Sequence, residues 1–137
     1  MEIFLDTAST KEIDHILTWG VIDGVTTNQK IFLNEKGVNF HERVIEICTK
    51  LDNKPVSVES NGSTLDEILD DSREFSKIAP NVVCKIAMTS DGIGLHAMNI
   101  LSQEKIPINA TVMMNLNQLI LATKAGAKFV SLFFNRS

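Results

Sequence analysis

Polar side chains close or interrupt six short apolar segments of this sequence, and their types suit one kind of chemistry. They are Asp6, Asn28, Glu59, Lys85, Asn109, Thr111 and Ser131. Schiff-base aldol chemistry needs an amine, a carboxylate that moves a hydroxyl proton, a second acid or base that expels water, and neutral donors for substrate hydroxyls. All four kinds are present, so the set predicts carbon–carbon bond chemistry at a lysine.

Lys85 is the candidate nucleophile. On a strand it shares its face with Val83 and Ala87, because residues two apart point the same way. We expect its amine to be desolvated, which raises the neutral fraction that can attack a carbonyl. Taken alone, such a lysine is more simply interpreted as a strand-end side chain with a solvated charge. Likewise, Asp6 or Glu59 alone would be a helix-capping or loop carboxylate, and Asn28 and Asn109 would be turn residues. Their occurrence as a set favours the catalytic interpretation.

Strands and helices alternate along the chain. The predicted strands are Glu2–Asp6, Val21–Thr26, Val56–Glu59, Val82–Ala87, Ile106–Thr111 and Phe129–Phe133. Between them lie stretches of helix length whose apolar residues recur three and four positions apart. Capping-box patterns at Ser9-x-x-Glu12 and Thr64-x-x-Glu67 mark two helix starts. This alternation predicts an α/β fold with a parallel sheet.

The length bears on which α/β architecture is expected. The chain has 137 residues, and its strands recur about every 25 residues, as suits a βα unit. An open doubly wound sheet is complete at this length, whereas an eight-stranded βα barrel needs roughly 200 residues or more. Length alone therefore favours the open sheet. The polar residues at the carboxyl ends of the strands favour the barrel, which builds its sites there.

Composition excludes several classes of protein. The formal charge of −4 provides no basic surface for nucleic acid or an anionic membrane. No apolar run approaches a membrane span and the N-terminus, MEIFLDTAS, has no signal-like stretch, so we expect a cytoplasmic protein. Cys48 and Cys84 lie in apolar segments outside any C-x-x-C pattern, which predicts reduced core thiols. Gly-rich phosphate loops are absent, and the three histidines show no metal-ligand spacing.

Short motifs follow one another from residue 1 to residue 137. They are FLDTAS, GVTTN, VSVE, VVCKIAMTSDGI, INATVMMNLNQ, AGAKFVSLFF and a closing Asn-Arg. In this order they resemble the transaldolase family, particularly the short subfamily that includes fructose-6-phosphate aldolases. The resemblance implies a (β/α)8 TIM-barrel type of fold, truncated here to about six βα strands. Residues 1–137 would then form a single, partial barrel domain.

The resemblance also implies a role for each candidate residue. Lys85 would form the Schiff base and Asp6 would be the acid/base for carbon–carbon cleavage. Glu59 and Thr111 would position a catalytic water. The substrate-binding residues would be Asn28, Asn109, Ser131, Phe133 and, as a clamp for the sugar phosphate, Arg136.

The implied function is transaldolase activity: transfer of a dihydroxyacetone unit between sugar phosphates such as fructose 6-phosphate and erythrose 4-phosphate, in the pentose phosphate pathway. No metal or organic cofactor is implied, because an iminium withdraws the electrons. Glu59 and Phe133 favour this branch, since the aldolase branch tends to have Gln and Tyr there. The alternatives are a fructose-6-phosphate aldolase, an inactive barrel fragment that only oligomerises, and an open-sheet binding protein.

The sequence departs from the family pattern at three loops and in length. Gln29-Lys30 replaces a usual Pro-Ser, and Ala87 and Leu132 replace prolines. Because proline fixes φ, we expect looser loops rather than altered chemistry. A chain that stops after the sixth strand would leave two sheet edges with unpaired backbone groups, so we expect a homo-oligomer.

Overall fold

Strands and helices alternate through the structure, a computed structural model that describes residues 1–34 and 37–134. In chain order the elements are β1 (Phe4–Asp6), α1 (Thr10–Leu17), β2 (Gly24–Thr26), α2 (Gln29–Asn34), α3 (Phe40–Leu51), β3 (Val56–Glu59), α4 (Leu65–Ser76), β4 (Val82–Ala87), α5 (Ile93–Gln103), β5 (Ile108–Met113), α6 (Leu116–Lys124) and β6 (Phe129–Leu132). None of the described helices is long and apolar enough to cross a membrane.

The strands form one parallel sheet whose spatial order is the order of the chain, β1 to β6. In a doubly wound sheet the strand order reverses at a switch point. Strands that lie side by side in chain order instead form the wall of a βα barrel. The open doubly wound sheet that length alone favours is therefore wrong. The barrel-type architecture, present here as six βα strands, is confirmed.

The sheet curves until its edge strands approach each other. Six flat parallel strands, spaced about 4.8 Å apart, would place the first and last about 24 Å apart. Instead, the rings of Phe4 on β1 and Phe129 on β6 meet edge to face with 5.4 Å between their centroids. The inner face of the sheet therefore encloses space, and inward side chains of non-adjacent strands can meet.

The helices pack on the outer face in two apolar clusters. The first joins α1, α3 and the end of α4 to strands β2 to β4, around residues such as Val44, Ile47 and Val56. The second joins α4, α5 and α6 to strands β4 and β5, around Met98 and Ile108. This outer core fixes the strands, so polar residues on the inner face are held by a rigid wall.

Side-chain caps begin α1 and α4, which follow the site-bearing strands β1 and β3. Thr64 and Glu67 form the complete predicted capping box of α4, directly after β3. Ser9 caps α1 by accepting from the Glu12 amide, as predicted, but the Glu12 carboxylate accepts instead from the hydroxyl of Thr7. The segment that follows Asp6 is thereby tied to the first turn of α1.

Candidate active site

Most of the predicted site residues line one cavity at the carboxyl ends of the strands. This cavity of about 590 Å³ is bordered by Asp6, Asn28, Glu59, Lys85, Thr111 and Phe133. A second cavity of about 270 Å³ lies toward the edge strands and is bordered by Asn109 and Ser131, with Phe4, Thr26 and Phe129. Arg136 lies outside the described residues. The structure thus groups six predicted residues around one space and two around its neighbour.

Lys85 lies in β4 between Glu59 of β3 and Asn109 of β5, which are its Cα partners in the sheet. Its side chain is half-buried. The Nζ atom donates a long hydrogen bond of 3.4 Å to the carbonyl oxygen of Thr27. A contact of this length is weak, so it orients the amine at the cavity without tightly holding it.

Thr27 supplies that carbonyl from a rigid position, and the sequence analysis did not predict this role. Its side chain is fully buried. Both its amide and its hydroxyl donate to the carbonyl oxygen of Ser57, at 2.9 and 2.7 Å. The end of β2 is therefore tied to β3, and the oxygen that contacts Lys85 is fixed.

The two candidate acid/base carboxylates differ in their surroundings. Glu59 is half-buried, and burial raises the pKa of its carboxyl; the charge of Lys85 opposes this and the charge of Asp6 adds to it. Asp6 is exposed, and its Oδ1 accepts a hydrogen bond of 2.9 Å from the hydroxyl of Thr26. Glu59 is therefore suited to carrying a proton.

Asn28 has only part of its amide available to a ligand. Its Oδ1 accepts from the amide of Ile31 at 3.0 Å and so caps the short helix α2. The side-chain NH2, which has no partner among the residues that the structure describes, can donate to a substrate oxygen. Gln29 and Lys30, in the same turn, also border the larger cavity, so a second lysine stands near Lys85.

Asn109 and Ser131 contact each other directly. The Ser131 hydroxyl donates a hydrogen bond of 2.9 Å to Asn109 Oδ1. Asn109 Nδ2 donates one of 3.1 Å to the hydroxyl of Ser57. Ser57 and Asn109 are buried and Ser131 is half-buried. The sequence analysis missed Ser57, although it lies two residues before Glu59 and therefore on the same face of β3.

Thr111 and Phe133 complete the larger cavity. The Thr111 side chain is buried, and its carbonyl accepts from the amide of Met88 at 2.8 Å. Phe133 is half-buried, and its amide donates to the carbonyl of Met113 at 2.9 Å. Strand β5 is irregular between Ala110 and Met113.

The titratable side chains of the described residues do not gather into a metal site. Within residues 1–34 and 37–134, no group of three or more His, Cys, Asp and Glu side chains could hold a metal ion. The chemistry that the cavity offers is that of an amine beside one half-buried and one exposed carboxylate. Such a set can form an iminium and move the protons that this requires.

Sequence comparisons show which known proteins this chain resembles. A sequence model of the family described as Transaldolase/Fructose-6-phosphate aldolase matches residues 3–137. The chain is 45% identical over 136 residues to a probable transaldolase of Streptococcus agalactiae. Similar proteins are a probable transaldolase of Methanococcus maripaludis, 43% identical, and probable transaldolase 2 of Listeria monocytogenes, 44% identical. The matches cover 99% of this chain and 61% of each relative.

Proposed function

Because the chain belongs to the transaldolase/fructose-6-phosphate aldolase family, we propose that it transfers a dihydroxyacetone unit between sugar phosphates through a Schiff base on Lys85. The observation that carries the proposal is that Lys85, Glu59, Asp6 and Thr111 border one cavity. The chain spans 61% of the length of these relatives, so the proposal concerns the activity of this segment itself.

The first half of the proposed reaction forms the iminium. The neutral amine of Lys85 attacks the carbonyl carbon of a ketose phosphate, giving a carbinolamine. The carbinolamine loses its hydroxyl as water, with Glu59 supplying the proton through a water beside Thr111. The raised pKa of Glu59 supports this role, because the carboxyl keeps its proton at higher pH than an exposed one.

The second half breaks and remakes a carbon–carbon bond. The Asp6 carboxylate accepts the proton of the hydroxyl beside the scissile bond, the bond breaks, and its electron pair moves to the iminium, leaving an enamine on Lys85. An aldose phosphate departs and a second one enters. The enamine attacks the new aldehyde, Asp6 returns the proton to the developing alkoxide, and water then releases the product from Lys85.

Neutral donors hold the three-carbon unit in this scheme. The NH2 group of Asn28 and the amide of Asn109 contact its hydroxyls, and Ser131 borders the smaller cavity together with Asn109. Arg136, outside the described residues, stays the predicted phosphate clamp. Glu59 and Phe133 favour transfer over simple aldol cleavage, because the aldolase branch tends to have Gln and Tyr at these positions.

A product assay separates transfer from cleavage. The chain is incubated with fructose 6-phosphate and erythrose 4-phosphate, and products are separated by chromatography. We expect a seven-carbon ketose phosphate, whereas free dihydroxyacetone would indicate the aldolase alternative. Lys85→Ala should abolish both products, and Lys11→Ala, an exposed lysine on α1, should retain them. A folded chain that forms neither product would overturn the proposal in favour of an inactive fragment.

Two expectations about organisation stay predictions within this proposal. We expect residues 1–137 to form a single partial barrel domain, which should unfold in one cooperative urea transition. We also expect self-association, which sedimentation velocity over a range of concentrations measures directly. Two separate transitions would contradict the first expectation, and a monomer at all concentrations the second.

A further inference from the structure

We propose that Ser57 is a positioning residue for the dihydroxyacetone unit and that it acts by holding the side-chain amide of Asn109. The inference rests on the proposed function, because Ser57 would affect ketose binding only through its contact with Asn109. Its structural part, the contact between Ser57 and Asn109, can be tested separately.

The contact joins strands that are not neighbours. Ser57 lies on β3 and Asn109 on β5, with β4 between them. Even so, Asn109 Nδ2 donates a hydrogen bond of 3.1 Å to Ser57 Oγ. The curvature of the sheet brings the two inward side chains together across β4. At the other end of the amide, Ser131 on β6 donates 2.9 Å to Asn109 Oδ1. Three strands therefore contribute to one hydrogen-bonded row.

The row fixes the plane of the amide. A hydroxyl can both donate and accept, so neither serine alone determines which end of the amide is oxygen. Together, Ser57 and Ser131 hold both ends of the amide, so tilting its plane about the last side-chain bond of Asn109 would lengthen both contacts. Among the described residues, one N–H and one lone pair of the amide have no partner, and both lie in the plane that the two serines fix.

Ser57 is a rigid anchor for this purpose. Its side chain is fully buried, and its carbonyl oxygen receives both the amide and the hydroxyl of Thr27. The same Thr27 presents the carbonyl that Lys85 contacts. The position of Ser57 is therefore linked to the amine that reacts and, through its own hydroxyl, to the amide that orients the ketose.

A second buried serine offers a matched control. Ser72 on α4 is also fully buried, but its hydroxyl has no partner among the described residues. Ser72→Ala removes the same atom from a comparable environment without breaking a side-chain contact. Differences between Ser57→Ala and Ser72→Ala therefore report on the bond to Asn109 rather than on the loss of a buried hydroxyl.

The functional test measures how the trapped Schiff base depends on ketose concentration. The full chain is mixed with fructose 6-phosphate, reduced with borohydride, and the adduct is quantified by mass spectrometry. Ser57→Ala should raise the half-saturating ketose concentration about tenfold, the effect of losing one buried hydrogen bond. The maximal adduct yield should change less than about twofold, since the pair acts on binding. Ser72→Ala should match the wild type in both quantities.

Three results would overturn the functional claim: no shift for Ser57→Ala, an equal shift for Ser72→Ala, or a loss confined to the maximal yield. Ser57→Cys has nearly the volume of serine and a weaker hydrogen bond, so it should shift the half-saturating concentration in the same direction. It replaces Ser57→Ala if circular dichroism shows that the alanine variant is unfolded.

Hydrogen exchange tests the contact without any substrate. In a chain labelled with ¹⁵N-asparagine, the side-chain NH2 of Asn109 should exchange more slowly than that of exposed Asn53, and Ser57→Ala should accelerate it about tenfold. Unchanged exchange would refute the contact. If the wild type traps no adduct, the proposed function and the ketose role both fail, and this measurement alone then decides whether Ser57 holds Asn109.

Discussion

Glu59 and Lys85 are paired neighbours on the adjacent parallel strands β3 and β4. Two opposite influences act on the Glu59 carboxyl: burial raises its pKa above the ordinary 4.5, and the charge of Lys85 lowers it. Burial is the larger influence and the charge of Asp6 adds to it, so the net shift is upward. The folded chain therefore binds this proton more tightly than the unfolded chain does.

This shift predicts how Glu59→Gln changes the pH dependence of stability. Below about pH 4.5 the carboxyl is protonated in both states and contributes no pH dependence. As pH rises from there to the folded pKa, the unfolded chain releases its proton first, so the free energy of unfolding of the wild type falls and then levels off. Glu59→Gln lacks this fall.

Urea unfolding at a series of pH values measures the difference. The free energy of unfolding of Glu59→Gln, minus that of the wild type, should rise with pH across this window and then stay constant. The matched change Glu42→Gln, at an exposed carboxyl on α3, should show no such rise. A difference that is flat or falls with pH for Glu59→Gln would mean that Lys85, not burial, dominates.

The contact between Phe4 and Phe129 predicts a cost for opening the curved sheet. Phe129→Ala removes the ring that meets Phe4 across the inner face, and we expect the free energy of unfolding to fall by about 2 kcal/mol. Leu116→Ala, at a side chain on α6 that is 65% exposed, should cost less than about 0.5 kcal/mol. Equal losses in urea titrations would show that the edge strands are not held by this pair.

Buried hydroxyls with and without partners should respond in opposite directions. Ser72→Ala removes a buried hydroxyl that has no partner among the described residues, so the free energy of unfolding should rise by about 1 kcal/mol. Thr27→Val removes the hydroxyl that donates to the Ser57 carbonyl at 2.7 Å. This variant should lower the free energy of unfolding by about 1–2 kcal/mol. Chemical unfolding of both variants checks the signs, and a loss for Ser72→Ala would be inconsistent with an unpartnered hydroxyl.

The two thiols should be inert in the folded chain. Burial raises the pKa of Cys48 to about 11 and that of Cys84 to about 12. Both are free and buried, as the sequence predicts. A disulfide reagent at mildly alkaline pH should therefore react with neither thiol until urea unfolds the chain, and then with both. Rapid reaction of either thiol in native buffer would contradict this burial.

Strand positions were the most predictable part of the fold. The bounds of β3 and β4 match the sequence prediction, because each is a short, valine-rich segment flanked by polar or turn residues, although Ser57 and Lys85 interrupt the apolar residues. Strand β1 begins later than predicted because the Ile3 amide bonds to the side chain of Asp23 rather than to a strand. The six-residue helix α2 was not predicted, since its sequence is too short to show a helical period.

The end of β5 shows what the sequence could not predict. The strand runs to Met113, two residues beyond the predicted end at Thr111, through a register shift at which Val112 has φ = 60°. A β-branched residue is strained in this left-handed region, so only pairing with a neighbouring strand accounts for it. No local signal in the sequence indicates such a residue.

The site divides in the same way. The positions of Asp6, Glu59, Lys85 and Thr111 at or near the carboxyl ends of predicted parallel strands were enough to expect them at one site, and all four border one cavity. The bonds that orient them were not predictable, because they depend on the register between strands that lie far apart in sequence. Thr27 and Ser57 are separated by 30 residues, and Ser57 and Asn109 by 52.

The most direct test is to find which lysine carries the trapped three-carbon unit, because Lys30 and Lys85 both border the larger cavity. After fructose 6-phosphate and borohydride, a modified lysine blocks tryptic cleavage, so an adduct on Lys85 appears in a peptide spanning 78–105 and one on Lys30 in a peptide spanning 12–36. We predict the adduct on Lys85 alone and its loss in Lys85→Ala. An adduct on Lys30, or none in folded protein, would contradict Schiff-base chemistry at Lys85.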